Sequence, residues 1–86
     1  MPVQVEVTYD MSKALGAQRF EVEAKTVGDA VAQTRERFGN DAEDFERLTA
    51  RAAIAVNGVL VRHRKRLATP VADGDLVSFV KAAAGG

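Results

Sequence analysis

The spacing of apolar residues changes along this 86-residue chain in a way that restricts the fold more than any other feature. Near the amino end, VQVEVTY (3–9) alternates apolar and polar side chains, and RFEVEAK (19–25) does so again. Such alternation is typical of strands buried on one face. From Thr26 the period lengthens to about 3.6 residues. The apolar face of that segment carries Val27, Ala30, Val31, Thr34 and Phe38. The sequence therefore predicts two antiparallel strands followed by one main helix.

The ends of the main helix also carry recognisable signals. Thr26 can cap the helix, and Asp29, three residues later, offers a carboxylate near its positive end in the manner of a capping box. Gly39 suits a left-handed stop. We expect a helix from about Val27 to Phe38.

Turn residues predict the remaining strands. In AIAVNGVLV (53–61), Asn57-Gly58 supplies the two positive-φ positions of a tight hairpin turn. In VADGDLVSFV (71–80), the DGD turn precedes a last strand from Leu76 to about Val80. DMSKALGAQ (10–18) suggests a helical turn or an ordered loop. DAEDFERL (41–48) suggests a short helix on the surface, anchored by Phe45 and Leu48.

A small sheet must bury its apolar face, and the helix at 27–38 is the only predicted element long enough to cover it. The Val-rich first and last strands can pair in parallel at the centre. The sequence thus predicts the α+β class and the β-grasp (ubiquitin-like) fold, a mixed sheet of four to five strands with one main helix packed across it. Residues 1–80 form the single expected domain, and residues 81–86 form a flexible C-terminal Gly-Gly tail.

Composition excludes several classes of function. Acidic and basic residues number 12 each, so no net charge favours a nucleic-acid or membrane partner. Cysteine is absent, which removes disulfides, thiolate metal sites and cysteine nucleophiles. We expect no bound metal. No apolar run approaches the ~20 residues that span a bilayer, and MPVQVEVTYD is unlike a signal peptide, so we expect a cytoplasmic protein.

The tail KAAAGG (81–86) has the smallest side chains of any segment of this length in the chain. An extended tail of this length spans up to about 20 Å, and its small residues could enter a channel too narrow for ordinary side chains. The terminal carboxylate of Gly86 is then the candidate reactive group. No Gly-rich phosphate loop occurs in the chain, so activation would need a separate adenylating enzyme that consumes ATP, and no cofactor is expected to be bound here. The activated acyl group could be attacked by sulfur or by an amine.

Four segments together resemble the MoaD/ThiS family of ubiquitin-like sulfur carriers. They are TVGDAVAQTRERFG (26–39), AVNG (55–58), LATPVADGDLVSF (67–79) and the terminal GG. Each motif is common by itself, but their order and spacing are jointly specific. The resemblance covers nearly the whole chain.

The resemblance implies that Gly86, preceded by Gly85, is adenylated by a partner similar to ubiquitin-activating enzymes and converted to a thiocarboxylate. In the MoaD branch the protein would be the non-catalytic small subunit of molybdopterin synthase, with its tail inserted into the large subunit. Other branches supply sulfur for thiamine thiazole or cysteine synthesis. MoaD tails usually carry a Pro pair after the last strand, and SFVKAAAGG departs from that pattern. Chain length and the DAEDFERL segment favour the MoaD branch.

Partner contacts are predicted on the sheet and along the tail. If Val77 and Phe79 face the helix, Leu76 and Val80, with Leu60, form an apolar patch on the other face. The residues expected to bind partners are Leu60, Phe79, Val80, Lys81, Ala82, Ala83 and Ala84. A second candidate is a basic docking patch for an acidic partner face, formed by Arg62, Arg64, Lys65 and Arg66 in RHRKR. A solvated basic loop would explain the same run.

Two other classes of function stay open at this stage. A covalent modifier would join Gly86 to lysines of target proteins through the same activation chemistry. A non-reactive β-grasp interaction module would carry an incidental Gly-Gly end.

Overall fold

The computed structural model describes residues 2–39, 42–50, 52–61 and 66–81. Its strands are β1 (Val3–Glu6), β2 (Arg19–Val22), β3 (Ala52–Val56), β4 (Val59–Val61) and β5 (Leu76–Lys81). Its α-helices are α1 (Tyr9–Leu15), α2 (Val27–Phe38) and α3 (Ala42–Thr49), and a 3₁₀ turn spans Arg66–Ala68. These elements form the predicted β-grasp fold, with three α-helices among the described residues where the sequence indicated one main helix.

The strands form one five-stranded sheet in the order β2-β1-β5-β3-β4. At its centre β1 and β5 run parallel, with Val5 opposite Val77. β2 pairs antiparallel with β1, and β3 pairs antiparallel with both β5 and β4. The predicted parallel pairing of the first and last strands is confirmed, and so is the antiparallel second strand.

The core lies between the sheet and α2. Val3, Val5 and Val77 point from the central strands into it and are fully buried, as is Ala30 of α2. The alternation along β1 and β5 leaves their other side chains on the opposite face of the sheet. Among the described residues the helices cover one face only, and the opposite face of the sheet is not covered by any of these helices.

Local side-chain hydrogen bonds define where α2 begins. Thr26 Oγ1 accepts a hydrogen bond from the Asp29 N–H at 3.1 Å, as the sequence predicts for an N-cap. The Asp29 carboxylate accepts from the Lys25 N–H at 3.0 Å, one residue before the cap. At the other end Gly39 has φ 57° and ψ −118°. Its φ is positive as expected, but its ψ lies outside the left-handed helical region.

The DAEDFERL segment forms α3, but α3 belongs to the core and does not merely lie on the surface. Phe45 is 4% exposed. Its ring centroid lies 5.4 Å from that of Phe38 and 6.4 Å from that of Phe79, both in edge-on geometry. Edge-to-face aromatic contacts of this kind stabilise a core beyond the apolar area they bury. A single aromatic residue therefore joins α2, α3 and β5.

The segment that returns to β5 is fixed against the start of α2 through backbone contacts. The Val27 N–H donates to the Thr69 carbonyl, and the Val71 N–H donates to the Lys25 carbonyl, both at 2.9 Å. A Cβ placed on Gly28 would lie 2.9 Å from the Leu67 carbonyl oxygen. Glycine at position 28 therefore permits the close approach.

The hairpin turn and the turn before β5 are joined by side chains. Asn57 and Gly58 both have positive φ, 51° and 84°, as predicted for the tight turn. The Asn57 amide donates to Asp75 Oδ1 at 3.0 Å, and its oxygen accepts from the Leu76 N–H at 2.9 Å. Asn57 thus shapes its own turn and also fixes the entry of β5.

A candidate docking and transfer site

The last strand carries the chain to the edge of the described structure. β5 includes Lys81, which pairs with Ala52 of β3. The predicted boundary between domain and tail therefore moves from residue 80 to residue 81, because Lys81 is held in the sheet. The other tail residues predicted to act, Ala82, Ala83, Ala84, Gly85 and Gly86, lie outside the described residues.

The open face of the sheet is apolar at one end. Register places one row of side chains across all five strands, in the order Leu60, Ala55, Ser78, Glu6 and Arg19. Leu60 is 47% exposed, and Val80, nearer the end of β5, is 36% exposed. Leu76 on the same face is half-buried. The predicted apolar patch of Leu60, Leu76 and Val80 is therefore present on the sheet face that the helices leave open.

Small residues lie in the middle of that face. Ala55 and Ser78 are only 5% and 7% exposed although they point away from the core. In the row across the sheet Ala55 lies between Leu60 and Ser78.

Charged and polar pairs occupy the β1–β2 end of the face. Arg19 donates to Glu6 at 3.1 Å, and the Gln4 amide donates to Glu21 at 2.8 Å. These pairs are exposed and contribute little to stability. They mark the polar border of the apolar patch.

Phe79 does not belong to the partner-binding surface. It is 4% exposed and points to the helix side of the sheet, where it contacts Phe45. The assignment of Phe79 to partner binding is therefore corrected. The error came from grouping Phe79 with its neighbours in sequence, although alternate residues of a strand face opposite ways.

Tyr9 is a surface residue that the sequence pattern misplaced. Tyr9 continues the alternation of Val3, Val5 and Val7, which suggested burial, yet its side chain is 71% exposed. The strand ends at Glu6, and Thr8 caps α1 by accepting from the Met11 N–H at 3.2 Å. Tyr9 is therefore the first residue of a helix, and the two-residue alternation of the strand does not apply to it.

A groove of about 430 Å³ lies beside the end of β5 on the side of Tyr9. Gln18 and Val80 also line it, together with Lys81. The groove places Tyr9 next to the point where the tail leaves the sheet. A partner that holds the tail would contact this surface.

The basic docking patch is only partly covered by the structure. Arg62, Arg64 and Lys65 lie outside the described residues, while the backbone of Arg66 begins the 3₁₀ turn. The proposed docking role of this run stays a prediction.

Asp75 shows the clearest electrostatic perturbation. The Ala72 N–H, which donates to Asp75 Oδ2 at 2.8 Å, and the Asn57 amide lower the pKa of this carboxyl below its ordinary value. Both hydrogen bonds favour the charged form. Asp75 lies in the turn before β5, so we assign it to the structure of the turn.

Metal ligands and membrane-spanning helices were the remaining features considered from the sequence, and neither occurs in the described part of the chain. Within residues 2–39, 42–50, 52–61 and 66–81, no group of His, Cys, Asp and Glu side chains is placed to hold a metal ion. The helices in those ranges are also too short or too polar to cross a membrane.

Comparison with known proteins identifies the family. The model of the ThiS family matches residues 10–86, which is most of the chain. The chain belongs to the ThiS family. This membership agrees with the resemblance to ubiquitin-like sulfur carriers in the sequence. A search of curated proteins found no match.

Solved structures extend the comparison across nearly the whole chain. Small archaeal modifier protein 1 from Methanosarcina acetivorans is similar with a TM-score of 0.78 at 21% identity, over 99% of this chain and 96% of that one. A chain of the complex of subunits 1 and 2 of molybdopterin-converting factor from Helicobacter pylori gives 0.67 at 24% identity, over all of both chains. A chain of the BexX/CysO complex from Amycolatopsis orientalis gives 0.75 at 25% identity, over 98% and 99%.

The family match places the protein among the ubiquitin-like sulfur carriers and modifiers, and the solved structures show that the fold is shared. Small carriers of this family are generally non-catalytic. Two of the similar structures are complexes with a partner protein. At these identities the fold is shared, and the pathway that each ThiS-family protein serves is a separate question.

Proposed function

We propose that this protein is a sulfur carrier whose Gly86 carboxylate is adenylated and then converted to a thiocarboxylate. The observation that supports this most directly is the family match, which runs through the final Gly-Gly. The geometry is consistent with it. β5 lies at the centre of the sheet and ends at Lys81, next to an apolar face that a partner can cover.

The chemistry requires a partner enzyme at each activation step. A carboxylate oxygen of Gly86 attacks the α-phosphorus of ATP, and pyrophosphate leaves. A sulfur nucleophile then attacks the acyl carbon and forms a carbon–sulfur bond. The bond between that carbon and the phosphate oxygen breaks, and AMP leaves with the electron pair. The carrier supplies the acyl group and the docking surface, and the adenylating enzyme supplies the ATP site.

We assign partner docking to Leu60, Val80 and Lys81. Leu60 and Val80 are exposed apolar side chains on the open sheet face, and Lys81 is the last residue before the tail. A partner that covers this patch would hold the tail root in a fixed position. The tail residues 82–86 would then enter the partner's active site.

We propose molybdopterin synthesis as the pathway that receives the sulfur, with the large subunit of molybdopterin synthase as acceptor. The chain length and the presence of α3 support this choice. Sulfur supply for cysteine or thiamine thiazole synthesis is the alternative, and LATPVADGD (67–75) also resembles the cysteine branch.

The decisive measurement is the intact mass of the protein after incubation with ATP, sulfide and the adenylating enzyme of its host. We expect a mass increase equal to replacing one oxygen by sulfur, mapped to Gly86. A variant that lacks Gly86 provides the matched control and should not change mass. If the native chain gains no sulfur although the enzyme consumes ATP, the sulfur-carrier proposal is wrong.

The same reaction mixture distinguishes the modifier alternative. A covalent modifier would instead appear as higher-mass conjugates when host proteins are added, and those conjugates would depend on Gly86. Sulfur-loaded protein can then be offered separately to each candidate acceptor enzyme. The acceptor whose product forms only with loaded carrier identifies the pathway.

A further inference from the structure

A groove separates α1 from α3 and begins where β5 ends. We call it the α1/α3 groove. Its near part encloses about 90 Å³ and is lined by Thr8, Asp10, Leu48, Ala52 and Lys81. Its far part is a shallow, open depression of about 430 Å³ lined by Asp10, Lys13, Ala14, Arg47 and Leu48. Because Asp10 and Leu48 line both parts, the two parts adjoin each other, and together they extend from Lys81 at the end of β5 to two cations.

The two cations at the far end have only weak partners. Lys13 Nζ lies 5.4 Å from the centroid of the exposed Tyr9 ring. Arg47 donates to Asp44 at 3.1 Å in an exposed pair on the same helix. Exposed pairs of this kind are weak, so both cations can also bind an anion. Asp10 is the one acid that lines the groove among the described residues.

We propose that residues 82–86 of this chain occupy the α1/α3 groove when no partner holds the tail, with the Gly86 carboxylate against Lys13 and Arg47. This inference rests on the proposed function, in which Gly86 carries the terminal carboxylate. The groove opens at Lys81, the residue from which the tail continues. The negative charge of the Gly86 carboxylate complements the positive charges of Lys13 and Arg47 at the far end of the groove.

Length and side-chain size agree with this occupant. Five extended residues reach up to about 17 Å. The helix stretch from Asp10 to Ala14 that lines the groove rises only about 6 Å. The side chains of alanine and glycine are small enough for the tail to lie in the near part, which has a volume of about 90 Å³. Backbone N–H groups of the tail can donate to the Asp10 carboxylate as the tail passes it.

Docking of the tail in the groove would hold the charged terminus against the body of the protein while no partner enzyme is bound. A thiocarboxylate is also an anion, so the same two cations would bind the sulfur-loaded form. A partner must then displace the tail from the groove before it can bind the tail. Since contacts between exposed charges are weak, that displacement is easy.

Paramagnetic broadening in NMR spectra tests where the tail lies. The chain has no cysteine, so a spin label can be attached at one introduced cysteine. Glu43→Cys places the label on α3 one turn before Arg47, close to the far end of the groove. Gln18→Cys places it on the opposite side of the end of β5, beside Tyr9 and Val80. We expect the Glu43 label to remove most of the Gly85 and Gly86 amide signal, and the Gln18 label to leave most of it.

Charge-neutralising variants complete the experiment. Lys13→Gln with Arg47→Gln should abolish the difference between the two labels. Lys25→Gln with Arg35→Gln removes the same charge away from the groove and should preserve the difference. Equal broadening by both labels in the native chain, or a difference that survives the Lys13 and Arg47 changes, overturns the proposal. This readout needs no sulfur transfer, so it can fail or succeed independently of the proposed function.

Discussion

Phe45 provides the strictest test of how α3 is held in this fold. Phe45→Ala removes a side chain that is 4% exposed and that contacts the rings of Phe38 and Phe79. Truncation of a buried Phe to Ala typically costs about 3–5 kcal/mol. Phe45 also lines a cleft of about 260 Å³ between α2, α3 and β3, so part of the new space is already open to solvent. We therefore expect the lower end, about 3 kcal/mol.

Urea unfolding followed by circular dichroism measures that loss. With a slope of about 1.5 kcal/mol per molar urea, a 3 kcal/mol loss lowers the midpoint by about 2 M. Phe20→Ala is the matched control, because Phe20 is half-buried at the sheet edge beneath Arg37 and should cost distinctly less. A Phe45→Ala midpoint within about 0.5 M of the native value would refute the conclusion that α3 is part of the core.

Three further predictions follow from the contacts described above. Gly28→Ala should lower the free energy of unfolding by about 1–3 kcal/mol, because the new Cβ would meet the Leu67 carbonyl oxygen at 2.9 Å. Gln33→Ala, on the exposed face of α2, should lower it little. Equal thermal midpoints for the two variants would contradict the close approach at Gly28. Leu60→Glu combined with Val80→Glu should leave the fold intact and weaken binding to the adenylating enzyme at least about tenfold, as measured by calorimetry. The control Val59→Glu, on the other face of the sheet, should leave the affinity unchanged. Unchanged affinity of the double variant would show that the sheet face is not part of the docking surface. Because the folded-state pKa of Asp75 is lowered, its carboxylate stabilises the protein above the unfolded pKa, and this contribution is lost as pH falls through the folded pKa. Asp75→Asn should therefore reduce the fall in the free energy of unfolding below about pH 4. The same fall in the variant and in the native chain would show that Asp75 is not its source.

Local patterns in the sequence were sufficient for the elements whose side chains respond mainly to their neighbours along the chain. The Asn57-Gly58 turn, the Thr26 cap and the alternation in β1 and β5 each reflect interactions within a few residues. The parallel pairing at the centre of the sheet was also predictable, because both strands are rich in valine. These features led from the sequence to the β-grasp fold.

The errors arose where a position's environment depends on distant residues. Phe45 was predicted to anchor a surface helix, but the rings of Phe38 and Phe79 enclose it from other elements. Lys81 was assigned to the tail, but Ala52 extends its strand by pairing with it. Tyr9 was read as part of the strand, but the cap at Thr8 ends the strand pattern before it.

The sequence by itself determined the fold class and the family, because period and turn chemistry are local properties of the chain. It also predicted Gly86 as the candidate reactive end, and that role stays a prediction. Only the tertiary structure decided which apolar side chains are available to partners and where the tail leaves the sheet. Leu60 and Phe79 are both apolar strand residues, and burial alone separates them. The physical reason is that exposure depends on what the other elements cover, and that is fixed only when helices and sheet pack together.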